Sequence, residues 1–268
     1  MLIKRIISSL IIFGILMAVI LVDWTCGLLV TAFIVGGLYE FFKMLEKKGI
    51  TIYKYFGIGM GAIIPLSIVL RFELTKGWEL LFMVLLLVFL MLLQFRRREN
   101  SGAIIDLSTT IFGILYVSWF LSFMIKIRYL PGGLGLFFSV ILITKLGDIG
   151  AFLIGSRFGK TPLIPRISPK KSVEGAVGGL IFSILGALIS KPFLGLPYLS
   201  LVVVGTFLGI LGQLGDLSES LMKRDCQVKD SGSIFPGLGG VLDLVDSLLF
   251  TAPAFYFYIS TFMLKQKL

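Results

Sequence analysis

Residues 78–95 read WELLFMVLLLVFLMLLQF, one carboxylate and one amide in an otherwise apolar run. Coiled as an α-helix rising 1.5 Å per residue, such a run nearly matches the roughly 30 Å hydrocarbon core of a bilayer. The rest of the chain has the same character. Of its 268 residues 57% are hydrophobic and 15% charged, with a mean hydropathy of +1.00, whereas soluble domains run about 45–50% apolar and about 25% charged. In hydrocarbon each span must satisfy its own backbone hydrogen bonds, which favours helices over open sheets. The expected fold is therefore all-α: a polytopic integral membrane protein with about nine transmembrane helices.

The hydropathic runs place these spans at residues 6–22, 24–42, 53–70, 78–95, 104–125, 134–153, 176–190, 199–214 and 244–263. The opening MLIKRIISSLIIFGILMAVILV has the basic start of a signal peptide. Its apolar run exceeds the usual h-region of about 7–15 residues, and no A-x-A-like site follows. It reads as an uncleaved first span. Two connections are longer and more polar than the others, 154–175 and 215–243.

Lys and Arg in the loops set the orientation. One side collects Lys4, Arg5, Lys43, Lys47, Lys48, Lys54, Arg96, Arg97 and Arg98 together with the basic residues of both long loops. The other holds only Arg71, Lys76, Lys126, Arg128, Lys191, Lys265 and Lys267. The bias puts the amino terminus and both polar loops in the cytoplasm, with the protein in the cell's inner (plasma) membrane. On the membrane's cytoplasmic side the net charge of +10 serves topology and anionic lipid; no nucleic-acid partner is implied. The chain divides into residues 1–125, helices serving as scaffold or oligomer contacts, and 126–268, a catalytic region carrying the two polar loops.

There is no histidine, so neither the usual base near neutral pH nor the commonest metal ligand is present. Cys26 and Cys226 have no CxxC spacing and fall on opposite sides, which disfavours both a disulfide and a zinc site. Chemistry must run on carboxylates, Lys, Arg and hydroxyls.

Carboxylates near spans are costly to insert and usually line an aqueous cavity or bind something. Asp216, Glu219, Ser220 and Lys223 recur at helical spacing and share one face. Asp243 and Asp246, three apart, share another at the start of the ninth span. Like charges on an apolar helix need a compensating cation, and an all-oxygen site suits Mg²⁺; a second cation is open. The alternative is that these carboxylates cap helices or pair with Lys223, Arg224 and Lys229. In the sixth loop, Lys170, Lys171 and Ser172 lie just before an apolar helix, where a helix amino terminus attracts anions. Ser172 is a sensible N-cap. Asp148, with Lys145 three residues earlier, suits either an intrahelical ion pair or a place in the site. GSRFGKT has one residue too few between its glycines for a Walker A loop.

Residues 220–246, SLMKRDCQVKDSGSIFPGLGGVLDLVD, resemble the carboxyl-terminal signature of the phosphatidate cytidylyltransferases, or CDP-diglyceride synthases. The family's S-x-x-K-R, K-D-S-G, P-G-x-G-G and D-x-x-D elements correspond to Ser220, Lys223 and Arg224; to Lys229, Asp230, Ser231 and Gly232; to Pro236, Gly237, Gly239 and Gly240; and to Asp243 and Asp246. The upstream GAFLIGSRFGK and ISPKKSVEG runs are also similar to the family. Leu238 and Leu244 depart from it, standing where a histidine and an arginine are usual.

The resemblance implies Mg²⁺-dependent conversion of CTP and phosphatidate to CDP-diacylglycerol and pyrophosphate within a lipid membrane, and leans towards a homodimer. It assigns Asp216 and Asp246, supported by Asp243, to metal. Lys223, Arg224 and Lys229 would hold phosphates, with Asp230 fixing Lys229 or taking a metal position. Ser220 would bond a phosphate or orient Asp216. Lys170, Lys171 and Ser172 would hold the nucleotide triphosphate or the lipid phosphate, and Gly239 and Gly240 would let backbone approach substrate. The rival readings are an ion-coupled transporter using intramembrane carboxylates and a CTP-dependent polyprenol kinase. A CDP-alcohol phosphotransferase is disfavoured because its D-G-x-x-A-R core is missing.

Overall fold

A computed structural model of the chain describes residues 21–72, 77–96, 101–235, 237 and 239–266, with side chains as far as Thr261. The expected first span, 6–22, lies almost wholly outside the described residues.

The described chain is mostly helical, and its helices longer than one turn are α1 (Asp23–Lys47), α2 (Lys54–Val69), α3 (Trp78–Phe95), α4 (Ala103–Arg128), α5 (Gly133–Phe158), α6 (Val173–Ile189), α7 (Tyr198–Asp225) and α8 (Val241–Gln266). Six of these, all but α2 and α6, are long and apolar enough to cross a membrane. The protein is thus a helical integral membrane protein. α4 is continuous but widens to a π-helix, with i→i+5 hydrogen bonds, at Ile114–Trp119.

Three differences from the hydropathic reading concern polar chain. α5 and α7 each run on past their apolar stretches, to Phe158 and Asp225, because nothing in GSRF or GDLSESLMKRD breaks a helix. Residues 162–172, expected as loop in an all-α protein, instead pair as a small antiparallel hairpin, β1 (Pro162–Ile164) with β2 (Ser168–Ser172). Prolines at 162, 165 and 169 lack the N–H that a helix requires, and Pro165 presets the reversal.

One apolar cluster joins Leu38 and Phe42 of α1, Val117 of α4, Ile143 of α5, Leu208 of α7 and Leu249 and Phe255 of α8. It crosses the expected division near residue 125. α3 packs apart, with Phe82, Leu86 and Leu90 against Ile64, Leu107 and Ile114. Several helix crossings are closer than side chains allow, and two of them bear on the polar helix ends. A Cβ on Gly150 of α5 would stand 2.8 Å from the Gly178 carbonyl oxygen of α6. One on Gly215 of α7 would stand 2.5 Å from the Asp246 carbonyl oxygen of α8. Small residues at such crossings let transmembrane backbones touch, and the second crossing brings α7 and α8 together where both carry carboxylates.

Candidate active site at the ends of alpha7 and alpha8

The helical spacing read from the sequence holds: Asp216, Glu219, Ser220 and Lys223 line one face of α7, and α8 meets that face. Asp216, Glu219 and Asp246 come together with one ligand oxygen of each within 4.8 Å of the others. Glu219 is fully buried and Asp246 is 8% exposed, while Asp216 is partly open. The backbone N–H of Ser247 donates to Asp246 Oδ1 (2.5 Å). Glu219 Oε2 faces the Lys223 ammonium at 2.5 Å, but its Oε1 is buried and receives no hydrogen bond. A carboxylate oxygen left bare in such a place is expensive. A hard divalent cation, which takes oxygen ligands, would relieve it if Asp216, Glu219 and Asp246 held one between them. The donor set and its orphaned oxygen therefore fit a divalent cation.

Asp243 is placed differently. It sits outside the three-carboxylate group, with Oδ1 accepting from Lys223 Nζ (2.6 Å). Its Oδ2 accepts from the backbone N–H groups of Ser231 (3.0 Å) and Gly240 (2.7 Å) and from Ser231 Oγ (2.9 Å). Gly239 takes a left-handed φ of +95° and lies against the same carboxylate. Lys223 thereby joins Glu219 to Asp243 and the two helix ends to each other.

The hairpin delivers the other cation. Lys171 Nζ lies 2.6 Å from Asp216 Oδ2, and Ser220 Oγ is 3.5 Å from Asp216 Oδ1. Arg224 Nε donates to the Ile167 carbonyl (3.4 Å), tying the hairpin to α7. Ser172 caps α6, its Oγ accepting from the Gly175 N–H (3.1 Å). Glu174 reaches back to the Lys160 and Thr161 N–H groups (3.1 and 3.2 Å). A cavity of about 470 Å³ opens beside Asp216, lined among others by Asp148, Phe152, Lys170, Lys171 and Ser172. Lys229 and Asp230 are exposed on the connection to α8, immediately before Ser231.

Two groups were not assigned from sequence. Glu219 shares the face of Asp216 and carries the orphaned oxygen; its spacing was the available signal. Lys145, Asp148 and Ser247 form a triangle joining α5 to α8: Lys145 Nζ donates to Asp148 Oδ2 (2.8 Å) and Ser247 Oγ (2.9 Å), and Ser247 Oγ lies 2.9 Å from Asp148 Oδ2. The intrahelical pair was legible, but its link to the residue beside Asp246 was not. Both cysteines are buried and free.

The site thus combines clustered carboxylates, flanking lysines and an adjoining cavity. Comparison with known proteins sharpens that picture. The family model described as the cytidylyltransferase family matches residues 3–262. A phosphatidate cytidylyltransferase of Synechocystis is 33% identical, the match covering 96% of each chain. One from Bacillus subtilis is 33% identical over 84% of this chain and 85% of its own. One from Aquifex aeolicus is 39% identical over 59% of both. Matched from end to end in this way, the chain belongs to the cytidylyltransferase family.

Proposed function

We propose that this protein catalyses CTP + phosphatidate → CDP-diacylglycerol + pyrophosphate at a membrane surface. The observation that carries the reading is the group of Asp216, Glu219 and Asp246 bordered by Lys171 and Lys223, in a chain of the cytidylyltransferase family. Acid groups alone would repel both substrates. Acid groups gathering a cation beside lysines can seat two anions.

The chemistry needs no histidine. A phosphate monoester has a second pKa near 6 and is largely ionised at neutral pH. A phosphatidate oxygen attacks the α-phosphorus of CTP, the bond from that phosphorus to the α–β bridging oxygen breaks, and pyrophosphate leaves with the electron pair. What must be overcome is charge, and fixed cations aimed at the developing charge are the effective remedy. In this reading Asp216, Glu219 and Asp246 would hold Mg²⁺, which would supply positive charge to the phosphates. Asp243 keeps Lys223 aimed between the helix ends. Lys170, Lys171 and Ser172 receive a triphosphate or lipid phosphate in the cavity. Lys229 and Arg224 add positive charge at the rim, and Ser220 orients Asp216.

The proposal extends to topology. α2 and α6, shorter but apolar, complete with the amino-terminal run a set of nine spans. The excess of Lys and Arg on one side supports a cytoplasmic amino terminus and a site on the cytoplasmic face of the inner membrane. A homodimer rests on the family resemblance alone.

The test is incubation of the purified protein with CTP labelled in the base, phosphatidate and Mg²⁺. Label in the lipid and stoichiometric pyrophosphate are expected. Phosphorylated lipid with released CDP would indicate γ-phosphoryl transfer and overturn the reading. Cysteines introduced into 154–175 and 215–243 should react with impermeant reagents only from the cytoplasmic side; labelling of either from outside would break the single-site arrangement.

A further inference from the structure

Glu40 is the one carboxylate within the expected span 24–42 and is 2% exposed. Its Oε2 accepts from the backbone N–H of Leu242 (2.9 Å) and lies 3.1 Å from Ser231 Oγ, residues about two hundred positions downstream. Its Oε1 has no partner among the described residues. Gly232 and Gly240 close over the carboxylate so tightly that a Cβ on either would stand 2.7 or 2.6 Å from Glu40 Cδ. Burying a charge this way costs stability unless something is gained.

The gain lies in how α8 begins. The first N–H groups of a helix have no acceptor within the helix, and the residue before Val241 is Gly240, which has no side chain to cap them. In a capping box the residue at the third helical position bonds back to the N-cap N–H, while the N-cap side chain bonds forward into the first turn. Asp243 makes the backward bond, to the Gly240 N–H. The forward acceptor, which Gly240 lacks, is supplied from α1: Glu40 takes the Leu242 N–H. A negative group there also suits the positive end of the helix dipole. Glu40 and Asp243 bracket the same Ser231 hydroxyl, at 3.1 and 2.9 Å, so one carboxylate fixes both the loop and the helix that carry Asp243 and Asp246.

We propose that Glu40 is a positioning residue of the transfer reaction, a helix cap contributed by α1 that sets the first turn of α8 and the Ser231 loop and through them the carboxylate site. The amino-terminal helices are then part of the site's framework and not only a scaffold beside it.

The proposal deepens the functional reading above, and its test has one arm that does not depend on that reading. Glu40→Gln, Glu40→Asp and Glu40→Ala are purified in detergent and compared by amide hydrogen exchange and by steady-state kinetics with CTP and phosphatidate. The Gln carbonyl accepts the same hydrogen bonds, so Glu40→Gln keeps kcat within about threefold and leaves exchange in residues 241–246 unchanged. Asp is one methylene too short and Ala has no acceptor. Both should lower kcat by about 10- to 100-fold with the KM for CTP within about threefold, as for a group that acts on the transition state without touching the nucleotide. Both should also speed exchange of the α8 first turn at least about tenfold while α5 is unaffected, a local opening and not global loss of structure. If Glu40→Ala does not fold, Glu40→Asp gives the same reading. Damage in Glu40→Gln equal to that in Glu40→Ala would mean that the charge is required, and would overturn the cap. Unchanged exchange in Glu40→Asp would overturn it equally. Faster exchange in a protein whose wild type makes no cytidylyl lipid would sink the reaction and leave the cap standing.

Discussion

α3 and α8 are both long enough to cross a bilayer, and they differ in a way that a water-soluble protein would reverse. α3 is the more hydrophobic, yet only 17% of its most apolar window is buried, against 56% for α8. Leu80, Leu85 and Phe89 of α3 point outward. On α8 the polar residues Asp246, Ser247 and Thr251 are buried along with Leu249 and Phe255. Lipid tails are as apolar as leucine, so hiding leucine from them gains little, whereas a polar group facing them loses its hydrogen bonds. Polar groups therefore join leucines and phenylalanines inside this protein while the face turned to lipid stays apolar, and the helix with the weaker hydropathy signal is the one that carries the candidate site.

Attacking the inner helix should give the largest effect. Asp246→Ala is expected to lower kcat by about 10³-fold, of the order seen when one strong electrostatic contact is removed from a transition state, while membrane insertion and yield stay normal. Turnover near the wild-type level in the purified variant would take Asp246 out of the site. Glu219→Gln comes next. It keeps the shape and removes the charge, so activity should fall about 10- to 100-fold and the Mg²⁺ concentration for half-maximal rate should rise. An unchanged Mg²⁺ dependence would mean that the orphaned oxygen serves some other partner, with Lys223 the first to consider.

What the sequence made legible follows the same division. Apolar runs announced nearly every described helix, because a span must be long and nearly uncharged whatever its neighbours do. The face shared by Asp216, Glu219, Ser220 and Lys223 was legible because helical spacing is local. Asp243 was harder. Both a metal role and pairing with Lys223 were open from sequence, and the contact with Lys223 that the structure shows spans twenty residues and a loop. Glu40 gave no clear signal, since its partners Ser231 and Leu242 are brought to it only when α1 packs on α8. The triangle of Lys145, Asp148 and Ser247 is the intermediate case, with one side local and two sides tertiary. The hairpin at 162–172 was missed because a hydropathic reading has nothing to say about short polar chain between spans.

Smaller effects probe how the two helices are held. Gly215→Ala places a methyl group where the Asp246 carbonyl oxygen already stands. Either α7 or α8 must move, and overpacking of this kind costs about 1–3 kcal/mol. A lower thermal midpoint in detergent is expected together with a fall in kcat. The two should move together because the crossing that sets stability also sets the distance between Asp216 and Asp246. Loss of stability with kcat intact would show that the site tolerates a looser crossing.

The smallest effect should come from the outer helix, and it tests the comparison most directly. Leu85 is 56% exposed on α3. In a packed core, removing a leucine side chain to its Cβ costs about 2–5 kcal/mol, because neighbours lose contacts and a void remains. Against fluid lipid no void can persist, since acyl chains fill it. Leu85→Ala should therefore change stability by less than about 0.5 kcal/mol, the usual range for exposed positions, with kcat unchanged. The measurement is a pair of thermal unfolding curves, one in detergent and one in lipid nanodiscs. A loss above about 1 kcal/mol in both would mean that α3 meets ordered protein and not lipid. In a chain whose described helices leave that face bare, a second copy would be the natural source, and the outer helix would then be buried after all.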